Sequence, residues 1–360
     1  MARKRKPGKP VQLATPKWDA GRKEVRRTRV RAGGAPGSGG PVFAMEAPPA
    51  LPFGMPGGRT PDRRAGEKSI ADMHRLIRER EFSSADEANA YIRQFTGPGA
   101  MAIPSSEPST PLERAQQMTC EAFGASGKRR VELAREALAI SPDCADAYVL
   151  LAEEAATTAE EACDLYRQGV EAGERVLGPE MLEEEEEGHF WGMLETRPYM
   201  RARAGLARCL WLLGRHDEAT AHWRDLLRLN QGDNQGNRHF LISALLQEGR
   251  REEARQLLAA YPNEVSTTWL YSRALLAFQE EGARRAAARR LRGALEFNPA
   301  VPDFLLGRRP LPEQNAPYAT PGGEEDAVVY ARDARPAWEA TEGALEWLAS
   351  ESDYSTAPTS

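Results

Sequence analysis

Cysteine is scarce in this chain: Cys120, Cys144, Cys163 and Cys209 are the only four in 360 residues. They are too few and too scattered for a disulfide framework, and no two make a CxxC pair. No apolar run approaches the roughly 18–20 residues that cross a bilayer, and the amino terminus has no signal-peptide core. Aromatic residues reach only 7%. A Walker phosphate loop, a GxSxG elbow, an HExxH pair and a dinucleotide glycine fingerprint behind a strand are all missing. His74, His189, His216, His222 and His239 form no triad by spacing. These gaps exclude a disulfide-stapled secreted module, a membrane-inserted protein and a collagen-like fibre. The expectation is a cytoplasmic, non-enzymatic, mostly helical protein with no cofactor and no metal.

Charge is plentiful, at 28% of residues with a net value of −5, but unevenly placed. Residues 1–66 hold 15 Lys and Arg against 4 acids, about +11, leaving about −16 for the remainder. Dense in Pro and Gly (RKRKPGKP, RAGGAPGSGGP, PPALPFGMPGG), this stretch reads as a disordered tail. Arg3–Lys9 with Lys23, Arg26, Arg27, Arg29 and Arg31 resembles an arm for nucleic acid. Only Trp18 is there to stack on bases, so a solubilising tail, or an upstream start codon, explains the composition more simply.

From Glu67 the pattern turns helical. Ile70, Met73, Leu76 and Ile77 make one apolar stripe. Ser84, with Glu87 three residues on, opens a second through Ala88, Tyr91, Ile92 and Phe95. Residues 67–97 are thus a helical hairpin, too small to bury a core alone. A linker follows at 98–111, and from Leu112 to about 310 the sequence repeats itself. GRHDEATAHWRDLLRLN (214–230) aligns with GRREEARQLLAAYPN (249–263), placing Gly214 and Gly249, and Ala219 and Ala254, 35 residues apart. That spacing is close to the roughly 34-residue tetratricopeptide period. Leu206, Ala207 and Leu210 should meet Ala219, Trp223 and Leu226; Leu241 and Leu245 should meet Ala254, Leu257 and Leu258. Two looser units centre on Tyr148, Leu151, Ala152, Ala162 and Tyr166, and on Tyr271, Ala274, Leu275, Phe278, Ala287, Leu291 and Ala294. An inter-repeat proline follows Ser141 and Asn298, but Gln231 takes that slot after Asn230. The predicted fold is an all-α, tetratricopeptide-like solenoid of helical hairpins. Residues 311–349 should form a C-terminal helical cap, and 350–360 a frayed tail.

Residues 174–200 break the register. The acids of 183–187 read as a solvated face, and beside them His189 lacks a second His or Cys at metal-ligand spacing. His189, Phe190, Trp191 and Tyr199 cluster outside the repeat pattern. Packing into the inner groove accounts for these aromatics better than a ligand cage. Thr196 should cap the next helix, with Pro198 in its first turn.

Three segments resemble the suppressor of tumorigenicity 7 family in its short bacterial tetratricopeptide form: CADAYVLLAEEAATTAEEACDLYRQGVEAG (144–173), ALEFNPAVPDFLLGRRPLP (294–312) and EDAVVYARDARPAWEATEGALEWL (325–348). The similarity covers about 112–348. It implies a helical repeat protein and brings no reaction and no catalytic residue. Longer animal members carry membrane segments flanking this core, and no such segment occurs in this chain.

The functional reading is a scaffold that holds a peptide or protein partner against the first helix of each pair. Arg201 and Arg208, seven residues apart, would present guanidinium forks to a carboxylate or phosphate, joined by Asn237, His239 and Arg273. The competing reading pairs these cations with nearby acids such as Glu195 or the acidic run. Arg284, Arg285, Arg289, Arg290 and Arg292 crowd a second helix and should face solvent. Two alternatives stand beside the scaffold: a nucleic-acid-associated protein using the basic arm, and an enzyme with a site around His189, Trp191 and Arg197.

Overall fold

The computed structural model describes residues 62–96, 99–104, 107–183, 188–313 and 319–356. The basic arm and the acids of 184–187 lie outside the described residues. Among these residues the secondary structure is helical, apart from one isolated antiparallel bridge between His189 and Asn230.

The chain divides into two compact units. The described part of the smaller is 72–96 and 99–104. It holds most of α1 (Glu67–Arg78) and all of α2 (Ala85–Ile92). Tyr91 packs between Phe82 and Phe95, with ring centroids 5.6 and 5.1 Å away, and Arg80 lies over its face.

The larger unit takes 62–71 and the described residues from 107 onward. Its helices are α3 (Pro111–Gly124), α4 (Lys128–Ile140), α5 (Ala145–Glu154), α6 (Ala159–Glu183), α7 (Arg197–Leu212), α8 (His216–Leu229), α9 (Asn237–Gln247), α10 (Arg251–Ala260), α11 (Thr267–Glu281), α12 (Arg285–Phe297), α13 (Val301–Leu305), α14 (Glu324–Glu339) and α15 (Ala344–Thr356). From α3 to α12 each helix packs on the next, and α3 also touches α5, α5 touches α7, and α9 touches α11. The residues expected in the core are buried in one cluster, Leu206, Ala207, Leu210, Ala219, Trp223 and Leu226 with Leu241, Leu245, Ala254 and Leu258, while Leu257 is only half-buried against it.

Local chemistry explains where these helices start and stop. Ser84 accepts the Glu87 N–H at 3.2 Å, but the Glu87 carboxylate turns to Ser83 instead, taking its N–H at 2.9 Å. The same arrangement recurs with Ser109, Thr110 and Glu113 at α3, and with Thr157, Thr158 and Glu161 at α6. Each time one hydroxyl and one carboxylate satisfy two otherwise orphaned donors. At the other end, Gly214 and Gly249 have φ of 75° and 66°. Gly214 N–H donates to Trp211 and Arg215 N–H to Leu210; Gly249 and Arg250 repeat this on Leu246 and Leu245. This pair of bonds is the Schellman stop, which needs a left-handed residue.

Four boundaries differ from the sequence expectation. Helix α6 runs past 173 and breaks at Gly178, just before Pro179. Thr196 does not cap α7; its hydroxyl donates to the Phe190 and Met193 carbonyls instead. The last residues of the supposed tail are ordered, with a 3-10 turn at Arg63–Gly66 capped by Asp62. At the far end α15 continues to Thr356, beyond 349. The cap also reaches further back than expected. Helix α15 packs on α12, but α14 lies across α9 and α11. Its buried face is mostly alanine (Ala327, Ala331, Ala334 and Ala337), which permits close approach. Asp326 fixes its start by accepting the Thr267 hydroxyl at 2.6 Å.

Candidate interaction site

Helices α3, α4, α5 and α7 and residues 62–67 share a polar cluster in the larger unit. Arg201 of α7 grips two carboxylates at once. Its Nε and Nη2 donate to Asp146 of α5 at 2.8 and 2.6 Å, and its Nη1 and Nη2 donate to Glu67 at 2.9 and 3.0 Å. Arg197, one turn earlier, donates to Glu67 at 3.2 Å and to the Trp191 carbonyl at 3.0 Å. Arg64 completes the cluster, bonding Asp62 at 2.7 Å and Glu153 of α5 at 2.7 Å while its guanidinium sits 4.4 Å over Phe123 of α3. Arg130 of α4 adds a 2.5 Å bond to Asp62.

Burial alone would weaken these charges, but their partners prevail. The arginines are held as cations: despite burial, Asp146 and Glu67 raise the Arg201 pKa, and Glu153 and Asp62 raise that of Arg64. Asp62 is also opposed by burial, yet Arg64 and Arg130 draw its carboxyl below the ordinary range. Residues 62–67 are therefore a segment of the chain held against α4, α5 and α7 by guanidinium–carboxylate pairs.

The residues singled out from the sequence do not form one cluster. Arg201 is committed to Asp146 and Glu67, partners 55 and 134 residues away. Arg208 sits half-buried, its guanidinium 5.6 Å over Phe240 of α9. Asp333 of α14, exposed to solvent, is its electrostatic neighbour. Asn237 is buried at the start of α9, where its N–H and that of Arg238 bond the Asp233 carboxylate at 2.8 and 2.9 Å. His239 is buried edge-on to Trp269 at 5.7 Å; burial lowers its pKa to about 3, so the ring is neutral. Arg273 points toward the end of α10 and donates to the Tyr261 and Pro262 carbonyls.

The aromatics of the irregular segment pack rather than cage. Phe190 and Tyr199 are buried 6.4 Å apart, and Trp191 lies half-buried beneath Arg197. His189 is exposed, its backbone bridged to Asn230. Gln231 fills the proline slot for a reason: its N–H donates to the Gly188 carbonyl at 3.2 Å, a bond proline has no hydrogen to make.

Sequence reasoning missed Asp62, Arg64, Glu67, Arg130, Asp146 and Glu153. The usable signal was opposite charge on two helices that meet, with Asp146 and Glu153 seven residues apart on α5 and the arginines of α7 beside them. Among the described residues no helix is long and apolar enough to cross a membrane.

Comparison with known proteins places the chain. The sequence profile of the family described as ST7 protein matches residues 113–357. Suppressor of tumorigenicity 7 protein-like of Homo sapiens is 32% identical over 249 residues, 61% of this chain and 42% of that protein. Suppressor of tumorigenicity 7 protein of Mus musculus is 32% identical over 231 residues, 58% of this chain and 39% of its own length. The chain thus spans about two fifths of the curated relatives it matches. The matched span and these relatives agree: the chain belongs to the ST7 family.

Proposed function

We propose that this protein is a non-enzymatic scaffold of tetratricopeptide-like helical pairs, a short form of its family, that binds a peptide or protein partner on the first-helix face. The observation that carries this reading is the seating of residues 62–67. A short non-repeat segment already lies against the Phe123 ring of α3 and is held by side-chain ion pairs from α4, α5 and α7. A surface that grips one such segment in cis has the chemistry to grip another in trans. The region for the partner lies at Arg208, beyond Arg201 on α7 and bordered by Phe240 and Asp333. There the Arg208 Nε is buried with no hydrogen-bond partner in the protein.

The test is affinity capture with the full chain, compared between wild type and Arg208→Glu, with circular dichroism to confirm that both are folded. The reading expects at least one protein held by the wild type and released by the variant. Identical recovery by both, or recovery of nothing, overturns it.

A further inference from the structure

Helix α12 carries the densest run of one-signed charge in the described chain. Arg284, Arg285, Arg289, Arg290 and Arg292 are all exposed, while Ala287, Leu291 and Ala294 turn inward. Among the described residues, none of these five has a carboxylate within ion-pair distance, although most other arginines of the larger unit are paired. The arginines thus gather on one side of a body that is otherwise acidic.

At the foot of that face lies a cleft of about 250 Å³ between α10, α11 and α12. Arg255, Arg273 and Arg290 line it, one from each helix, over an apolar floor that includes Leu258 and Leu276. Glu280 is the single acid in the lining, and it is already bonded to Arg255 at 2.7 Å. Arg273 makes only two long bonds to backbone carbonyls, 3.4 and 3.3 Å. Two guanidinium groups therefore enter the cleft without a neutralising carboxylate. A recess of one sign with low-dielectric walls concentrates counter-ions of the other. The volume is below the roughly 300–1,000 Å³ of drug-sized pockets, so the ligand group is small. Planar forks from two helices match a tetrahedral oxyanion, and the apolar floor calls for a hydrocarbon stem attached to it.

We propose that this cleft binds a phosphate monoester, with its oxygens between Arg273 and Arg290 and its stem against Leu258 and Leu276. The assignment is independent of the partner-binding reading. The group could be borne by a small ester or by a phosphorylated side chain. Only the second would also reach the outer arginines Arg285 and Arg289, through acidic residues flanking the phosphorylated position.

The experiment is calorimetric titration of the full chain with phenyl phosphate at low salt. Single-site saturable binding is expected, weakened by roughly tenfold or more in Arg290→Glu and in Arg273→Met. Arg135→Glu, which changes net charge equally on exposed α4, should leave it intact. No saturable binding, or equal weakening by Arg135→Glu and Arg290→Glu, overturns the proposal. A second arm compares an acidic phosphotyrosine peptide with phenyl phosphate. Tighter binding of the peptide that is lost in Arg285→Glu/Arg289→Glu assigns the phosphate to a protein, and equal affinity assigns it to a small ester.

Discussion

Replacing Arg201 with methionine strands Asp146 and leaves Glu67 to Arg197 alone, in a place where water cannot compensate. Breaking one side of a buried pair costs about 3–5 kcal/mol, so urea unfolding should show Arg201→Met destabilised by that order, and Arg208→Met far less. His239 governs acid sensitivity. Burial lowers its pKa from 6.5 to about 3, so the unfolded chain takes up a proton that the folded chain refuses. Stability is therefore complete above 6.5 and falls by roughly 1.4 kcal/mol per pH unit below it, until about pH 3. His222, lowered to about 4 by burial and Arg203, adds to the same slope. Unfolding free energies measured from pH 7 to pH 4 should fall less steeply in His239→Leu. Burial also pushes the Cys144 and Cys209 thiols up to about 12, so neither should react with a disulfide reagent at pH 8 until the chain unfolds. The apolar core was legible in the sequence because burial follows helical periodicity. The role of Arg201 was not, since its partners lie 55 and 134 residues away and no local pattern encodes that meeting.

Helix ends were legible where chemistry is local, as at Ser84, Gly214 and Gly249. They were not where a side chain found a remote use: Thr196 has a capping residue's identity, yet the turn before α7 brings the Phe190 carbonyl closer. The close crossing of α6 and α7 depends on glycine. A Cβ on Gly205 would come within 2.1 Å of the Tyr166 ring, and one on Gly173 within 2.7 Å of the Tyr199 Cβ. Overpacking of this kind costs about 1–3 kcal/mol or more, so Gly205→Ala should lower the melting temperature clearly, whereas Gly293→Ala, which meets nothing within 4 Å, should not. The helices of the larger unit could be read from their apolar spacing, but the path of α14 could not. An alanine face fits many neighbours, and the choice of α9 and α11 rests on single bonds such as Thr267 to Asp326.

Within the larger unit, two apolar clusters share α5. One gathers Phe123, Leu133 and Leu150 around α3 to α5; the other runs from Val149 to Leu348. The stretch 62–67, whose last residue opens α1, spans that seam, reaching Phe123 and Arg130 on one side and Arg201 on the other. It works like a clasp across a hinge. With the clasp cut by D62N/R64M/E67Q, calorimetry should resolve two melting steps in place of one, since each oily half would then be free to come apart at its own temperature.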